Sequence, residues 1–549
     1  MSAPTPTIKL KHSPWLVLFT LCLGFFMILL DTTIVNIAIP DITRRLHAGL
    51  DDILWVLNAY ILVYAVLLIT AGRLGDLFGP KRLFVVGMVI FTLASVACGL
   101  AQNSTQLIGA RIVQGVGGAL LTPQTLSVIT VIFPADKRGA AFGIWGAVAG
   151  VATVTGPTLG GWLVTTFDWR WIFFVNLPVG ILALTLALIV MPNINFHRQH
   201  RLDWVGTILA TVGLFLLTYG LIEGQPHDWG EVWGPITIPM IIIAGVVVLA
   251  LFMVQQYLQR AQEPLIPFTI FADRNFSLMN FVVAAVGFGM LGLFVPLVIY
   301  LQSVLGLSAL QAGLTVAPMS LVSMFVAPAA GRMSDKVGGK YILLAGLSLF
   351  ALGMGVLIAS AHVDSTRLHL LPGLIVAGFG LGMTFAPLQT VAMRNIQPQM
   401  AGAASGFINT TRQLGAVIGS AAVGAMLQSQ IATKLRETAS VQAASLPPEI
   451  REQAVRGFDN AATGSLEVGQ VGSVPLPPGV PDQVRNTIVA FASNVFKTGY
   501  TEAMRVTLIL PIAILALAAL SCLFIKRRAG MPAKPPVGEP ATVGSERAG

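Results

Sequence analysis

Along this chain, long uninterrupted apolar runs alternate with short polar connections. Read with a window of about 19 residues, fourteen runs reach the roughly 18 to 25 residues that a helix needs to cross a hydrocarbon core of about 30 Å. They cover roughly 15–38, 53–72, 83–101, 105–125, 138–162, 170–191, 203–222, 235–256, 276–302, 310–331, 341–361, 370–390, 405–428 and 503–525. Strands of a transmembrane barrel would alternate and be about half as long, so they are excluded. The pattern predicts an all-α integral membrane protein.

The polar connections give orientation. Lys9, Lys11, Arg73, Lys81, Arg82, Lys137, Arg138, Arg198, Arg201, Arg260, Arg274, Arg332, Lys336, Lys340, Arg394, Lys526, Arg527 and Arg528 fall on one side of the alternation. The other side's short loops hold Arg44, Arg45, Arg170 and Arg367. The positive-inside rule therefore places both termini in the cytoplasm, which an even number of spans also requires. Composition agrees, with 55% hydrophobic and 10% charged residues, where a soluble chain carries about 25% charged. The net charge of +9 suggests nucleic acid only until its location is considered, because the cations sit in loops between spans. The first apolar run is full length and leads into further spans, so it is expected to remain as a helix and not to be cleaved as a signal. Cys22, Cys98 and Cys522 all lie in spans, which argues against disulfides and a metal site and for small apolar packing.

Two connections echo each other: "GRLGDLFGPKR" at 72–82 and "GRMSDKVGGKY" at 331–341. They follow spans 2 and 10. A shift of eight spans is what two six-helix halves give when two additional spans are inserted between them, and spans 7 and 8, set off by 192–202 and 256–264, are the natural insertion. The expected organisation is a cytoplasmic tail 1–14, an N-terminal six-helix bundle 15–191, two additional helices with linkers 192–264, a C-terminal bundle 265–525 with an extracytoplasmic loop 430–502, and a disordered cytoplasmic tail 526–549. Within the loop, "PPEIREQAVRGF" suits a surface helix or plain linker. Repeats of this kind mark transporters whose halves rock about a central site.

Charges inside spans carry the candidate chemistry. Asp31 lies about 24 Å along span 1, with apolar sequence continuing beyond it. A carboxylate there costs a few kcal/mol unless it faces a wet cavity or a partner; the alternative is a helix-end residue near the outer interface. Arg111 lies about 9 Å below the outer end of span 4, at a comparable depth, unless it snorkels outward. Burial favours a neutral Asp31 and a nearby guanidinium favours the charged form, so conformation would decide whether a proton is held. Gln114, one turn further in, joins this patch or makes an interhelical hydrogen bond. In the first loop, Gly72, Gly75 and Gly79 permit close approach and positive φ, while Arg73, Asp76, Lys81 and Arg82 form a charged turn in which Asp76 can cap a helix N-terminus and pair with a base. Asp335 is similarly placed in the second copy. In span 5, Gly156, Gly160 and Gly161 with Pro157 allow backbone-to-backbone packing and a kink.

These residues resemble a known family. "GRLGDLFGPKR", "LIGARIVQGVGGA" at 107–119, "TGPTLGG" at 155–161 and "LDTTIVNIAIP" at 30–40 are similar, in order and on the expected spans, to motifs of the major facilitator superfamily, and within it of the fourteen-span drug:proton antiporters of the QacA and EmrB kind. Ala152 stands where that family usually has glycine in span 5, which implies looser packing there. The resemblance implies a major facilitator fold of two six-helix bundles plus two central helices. It further implies that Asp76 stabilises the outward-facing state and that the span 5 glycines form a dry contact preventing proton leak.

The remaining polar intrusions are Arg412 and Gln413 in span 13, where snorkelling competes with function, and Glu223, read as an outer-loop residue. Asn36 in span 1 joins Asp31, Gln114 and Arg412 as a candidate for the substrate cavity. There is no GxxxxGK[ST] phosphate loop and no catalytic cluster of His, Cys and carboxylate, so a primary pump and an enzyme are both disfavoured. The expected function is proton-coupled export of lipophilic, in part cationic, small molecules across the cell membrane, working as a monomer without cofactor, metal or nucleic acid. The alternative is a dedicated exporter of an endogenous metabolite, antibiotic, lipid or siderophore.

Overall fold

The computed structural model describes residues 12–46, 48–194, 203–259, 264–443, 451 and 482–526. Lys9, Lys11, Arg198, Arg201, Arg260, Arg527, Arg528, the tail from 527 onward and all of "PPEIREQAVRGF" except Arg451 lie outside the described residues. Fourteen helices are long and apolar enough to cross a membrane. They are α1 Pro14–Leu46, α2 Asp52–Phe78, α3 Pro80–Leu100, α4 Ser104–Ile132, α5 Arg138–Thr166, α6 Trp171–Val190, α7 Trp204–Glu223, α8 Ile238–Leu258, α9 Arg274–Val304, α10 Leu310–Val337, α11 Gly339–Ser360, α12 Arg367–Ala392, α13 Pro398–Gln442 and α14 Thr487–Phe524. Every expected span has its helix. This is a multi-pass membrane protein.

Local sequence sets the helix starts. Asn103 accepts from Gln106 N at the start of α4, Asp203 from Gly206 N at α7, and Asp273 from Asn275 N at α9. Ser308 and Gln311 form a reciprocal capping box on α10, each satisfying a donor the helix leaves unpaired. Three ends differ from expectation. α1 continues to Leu46 because Asp41 pairs with Arg44 and with Arg45 (3.3 Å), which also reaches Asp168 at 3.1 Å, so the charges expected in an outer loop ride on the last helical turn. The described parts of the expected loop 430–502 are 430–443, 451 and 482–502, of which 430–442 belong to α13 and 487–502 to α14. There Leu435 and Ala439 are buried, as are Val495, Phe496 and Tyr500, so one apolar stripe in a polar segment suffices to hold the two helices together.

Within the N-terminal half α1 packs on α5 and α6, and α3 on α4; within the C-terminal half α11 packs on α12 and α9 on α13. The halves meet through α5 against α10 and α2 against α13. α7 and α8 form a hairpin, packed through Gly213, Gly220 and Gly245, and α7 leans on α2 and α13. Among the described residues the strands are one antiparallel pair between these helices, β1 Glu231–Trp233 and β2 Ile236–Thr237. One apolar cluster runs through both halves, and a smaller one, including Leu30, Ile34, Val56, Cys98 and Leu107, lies within the N-terminal half, at the end away from the α2–α3 connection.

Candidate functional site

The smaller cluster encloses the charges. Asp31 and Arg111 are 0% and 1% exposed. The Arg111 guanidinium donates through Nη1 to Asp31 Oδ2 and to Gln114 Oε1 at 2.7 Å. Its Nε donates to the Val56 carbonyl at 3.0 Å, and its Cζ lies over the Tyr60 ring, 4.2 Å from the centroid. Gln114 Nε2 donates to Asp31 Oδ1 at 2.8 Å, and the Cys98 thiol lies 3.6 Å from Gln114 Oε1. Arg111 therefore does not snorkel, and Asp31 is not a helix-end residue, since α1 continues for four turns beyond it. A cage of this kind, in which one carboxylate accepts from a guanidinium through one oxygen and from an amide through the other, compensates two charges in a dry interior. A proton on Asp31 would leave the guanidinium facing Gln114, a carbonyl and a ring, which are all uncharged.

A second polar feature lies at the ends of the helices joined by the α2–α3 and α10–α11 connections. Asp76, 4% exposed, accepts from Gly402 N and Ala403 N, both at 2.8 Å, at the N-terminus of α13. Asp335 accepts from Gly139 N at 2.7 Å and Ala140 N at 2.9 Å, at the N-terminus of α5. Each half thus inserts a carboxylate into the positive end of a helix of the other half. The two loops turn alike, with Gly79 at φ 92° and Gly338 at φ 87°, a region that glycine occupies without strain. A Cβ on Gly72 would strike Gly402, and one on Gly331 would strike Gly139, backbone against backbone.

Other residues of the loop act elsewhere. Lys81 donates to the carbonyls of Leu188 and Met191, each at 2.8 Å, tying α3 to the end of α6. Arg73 is buried and Arg82 exposed. Along α5 the glycines divide: Gly143 and Gly150 face α10, while Gly156 and Gly160 face Thr33 and Ile34 of α1. Gly161 approaches Leu310 at van der Waals distance, and Pro157 packs on Gly313 of α10. Ala152 is fully buried, and its carbonyl receives Thr33 Oγ1 at 3.4 Å.

The expected cavity group divides as well. Asp31 and Gln114 meet but are sealed in this conformation. Asn36 is exposed and bonds to Thr32 O at 3.0 Å. Arg412 belongs to neither cluster: it lies eleven residues into α13 from Ala401, about 16 Å at 1.5 Å per residue, too deep for simple snorkelling. Its Nη2 reaches Asn409 Oδ1 at 3.3 Å, and its Nε is buried without a partner. Glu223 is the buried last residue of α7, not part of an outer loop, with His227 Nδ1 3.4 Å from Oε2. Tyr60, the Val56 carbonyl and the Gly402–Ala403 amides were not anticipated. One signal did exist, because "GAAFG" at 139–143 and "GAASG" at 402–406 repeat with the same eight-span shift as the carboxylate loops they receive.

The family model of the Major Facilitator Superfamily matches residues 21–420. The chain belongs to the Major Facilitator Superfamily. Among superfamily relatives, the uncharacterized transporter Rv1250 of Mycobacterium tuberculosis is 44% identical over 77% of this chain and 72% of its own length. The tetracenomycin C resistance and export protein of Streptomyces glaucescens is 31% identical over 96% and 94%. The multidrug resistance protein Stp of M. tuberculosis is 37% identical over 78% of each chain. Two solved structures share the fold: the human organic anion transporter MFSD10, with a TM-score of 0.58 at 11% identity over 92% of this chain and 100% of that one, and the proton:xylose symporter XylE, with a TM-score of 0.53 at 14% identity over 74% and 87%.

Proposed function

We propose that this major facilitator is a proton-coupled exporter of lipophilic small molecules, working by alternating access in the cell membrane as a monomer with both termini cytoplasmic. The observation that carries the reading is the buried Asp31, held by Arg111 and Gln114. With the site open outward, Asp31 takes a proton as substrate leaves. The bare guanidinium then destabilises the sealed arrangement by about 3 to 5 kcal/mol, the scale for breaking a buried pair, which favours reorientation. Inside, substrate arrival returns Asp31 to Arg111 and releases the proton. The contacts of Asp76 and Asp335 with the opposite half act as latches that close the cytoplasmic side during the outward-facing part of this cycle, and the dry α5–α10 contact limits leak. Relatives named for multidrug resistance, such as Stp, support a broad substrate range. A second reading, export of one endogenous product, draws on relatives named for tetracenomycin C and actinorhodin.

Purified protein in detergent should release protons when a lipophilic substrate is added, and Asp31→Asn should abolish the signal; a full-sized signal from Asp31→Asn overturns the assignment. Efflux from a sensitive host should collapse with a protonophore. For orientation, cysteines placed at Ser440 and at Asp136, both exposed, should react from outside and from inside respectively in a background without native cysteines.

A further inference from the structure

The cytoplasmic ends of α5, α10, α11, α12 and α14 surround a cavity of about 910 Å³ that the transport reading does not use. Its wall carries Arg138, Lys336, Lys340, Arg394 and Lys526 against two carboxylates, Asp136 and Asp335. Asp335 is already engaged by the amides of Gly139 and Ala140. Two of the cations bind main-chain carbonyls, Arg138 Nε to Phe133 O at 3.1 Å and Lys340 Nζ to Leu523 O at 2.5 Å. A neutral carbonyl orders a cation without cancelling its charge, so with five cations against two carboxylates the cavity keeps a surplus of positive charge, two of its cations held in place.

Its rim is apolar. Val337 and Tyr341 line the cavity and are 72% and 50% exposed; next to Ile525, Leu523 and Phe524 are also exposed. Lys340 Nζ stands 5.9 Å from the Tyr341 ring, the aromatic and cationic pairing found at the membrane–water boundary. A cationic pocket that opens onto exposed apolar helix ends matches a molecule with an anionic phosphate head and an apolar body, and a free phosphate would leave the rim without a partner. We propose that this cavity binds the headgroup of an anionic phospholipid of the inner leaflet, with the acyl chains along the rim.

The site is assembled from both halves. Asp136 from the turn before α5 and Arg138 from its first residue belong to the N-terminal half, the other cations to the C-terminal half, and they converge where Asp335 holds the α5 N-terminus. Opening the cytoplasmic side would draw these walls apart. A lipid bound here therefore favours the latched conformation, because a ligand shifts an equilibrium by its differential affinity for the two states.

The test uses the full chain in nanodiscs of phosphatidylcholine alone or with added phosphatidylglycerol, with a spin-label pair at Arg82 and Gln397 reporting the cytoplasmic separation and native mass spectrometry reporting lipid retention. The comparison variant is Lys336→Gln with Lys526→Gln, both exposed, which leaves the Asp335 carboxylate and its Gly139 and Ala140 amides in place. Each cation near an anionic surface supplies a preference of roughly five-fold, so the double variant should retain phosphatidylglycerol roughly 25-fold less well. Phosphatidylglycerol should enrich the short distance in the parent and leave the double variant unmoved. Equal retention of both lipids, or the same response in the double variant, overturns the proposal. So does inorganic phosphate reproducing the full effect in phosphatidylcholine, which would make the ligand a soluble anion. Neither readout involves substrate or proton, so failure here leaves the export reading standing.

Discussion

Replacing Asp76 with asparagine tests the latch with almost no change of volume. Asp76 uses both oxygens, each accepting one amide at 2.8 Å from the start of α13. Asparagine keeps one acceptor and turns an NH2 toward the other amide, donor against donor. The loss is one hydrogen bond to a charged group, about 1.5 to 3 kcal/mol, together with about 0.3 to 1 kcal/mol of charge–dipole attraction. Water would replace these contacts once the halves part at this end, so the whole loss, about 2 to 4 kcal/mol, falls on the closed state. At 1.4 kcal/mol per factor of ten, the closed-to-open ratio should drop by roughly 30-fold to several hundred-fold. Electron–electron resonance between labels at Arg82 and Gln397, without Cys22, Cys98 and Cys522, should show the short distance giving way to a longer one. Transport should fall while membrane insertion persists. Asp335→Asn should do the same, since its two bonds have the same form. If Asp76→Asn keeps the parent's distance distribution and transports like the parent at all substrate concentrations, the latch has been misread.

Asp31→Asn should lower thermal stability in detergent by leaving Arg111 buried and unpaired, about 3 to 5 kcal/mol; Asp31→Asn combined with Arg111→Gln should regain most of it without regaining proton release, and a double variant no more stable than the single would refute the pairing argument. Arg412→Met should hold or raise stability where Arg111→Met lowers it, because the Arg412 Nε has no partner to lose; a melt series with both variants decides the sign. Gly143→Ala sets a Cβ 2.6 Å from the Ala327 carbonyl oxygen and should raise passive proton leak in vesicles containing a pH dye, while Gly109→Ala, with open space around it, should not.

What could be read from the sequence follows from how each signal is written in side chains. Crossing a membrane requires continuous apolar runs, so all fourteen helices were legible. Asp31 and Arg111 were legible because a charge in such a run needs compensation. Partners made of backbone carry no such mark: the amides of Gly402 and Ala403 and the carbonyl of Val56 are residue-blind, and only the repeated "GAA" tripeptides hinted at the first two. The ends of α13 and α14 were missed because mean hydropathy falls once a helix leaves the lipid, although Leu435 and Val495 keep it packed. Lys81 was placed among the loop charges on sequence proximity, whereas the nearest unsatisfied acceptors were carbonyls at the end of α6.

The Asp31–Arg111 cage also has an electrical consequence. With Asp31 ionised the pair sums to zero, and with Asp31 protonated it carries one positive charge. If Asp31 carries the coupled proton, only the proton-bearing limb of the cycle moves charge through the transmembrane field, which exerts about 2.3 kcal/mol per elementary charge per 100 mV across the full membrane. A cell interior at negative potential would pull that limb inward and leave the return of a neutral substrate untouched by voltage. Export of a neutral compound would therefore register as an inward current in a planar-membrane recording, and the absence of current would require a further compensating charge in motion.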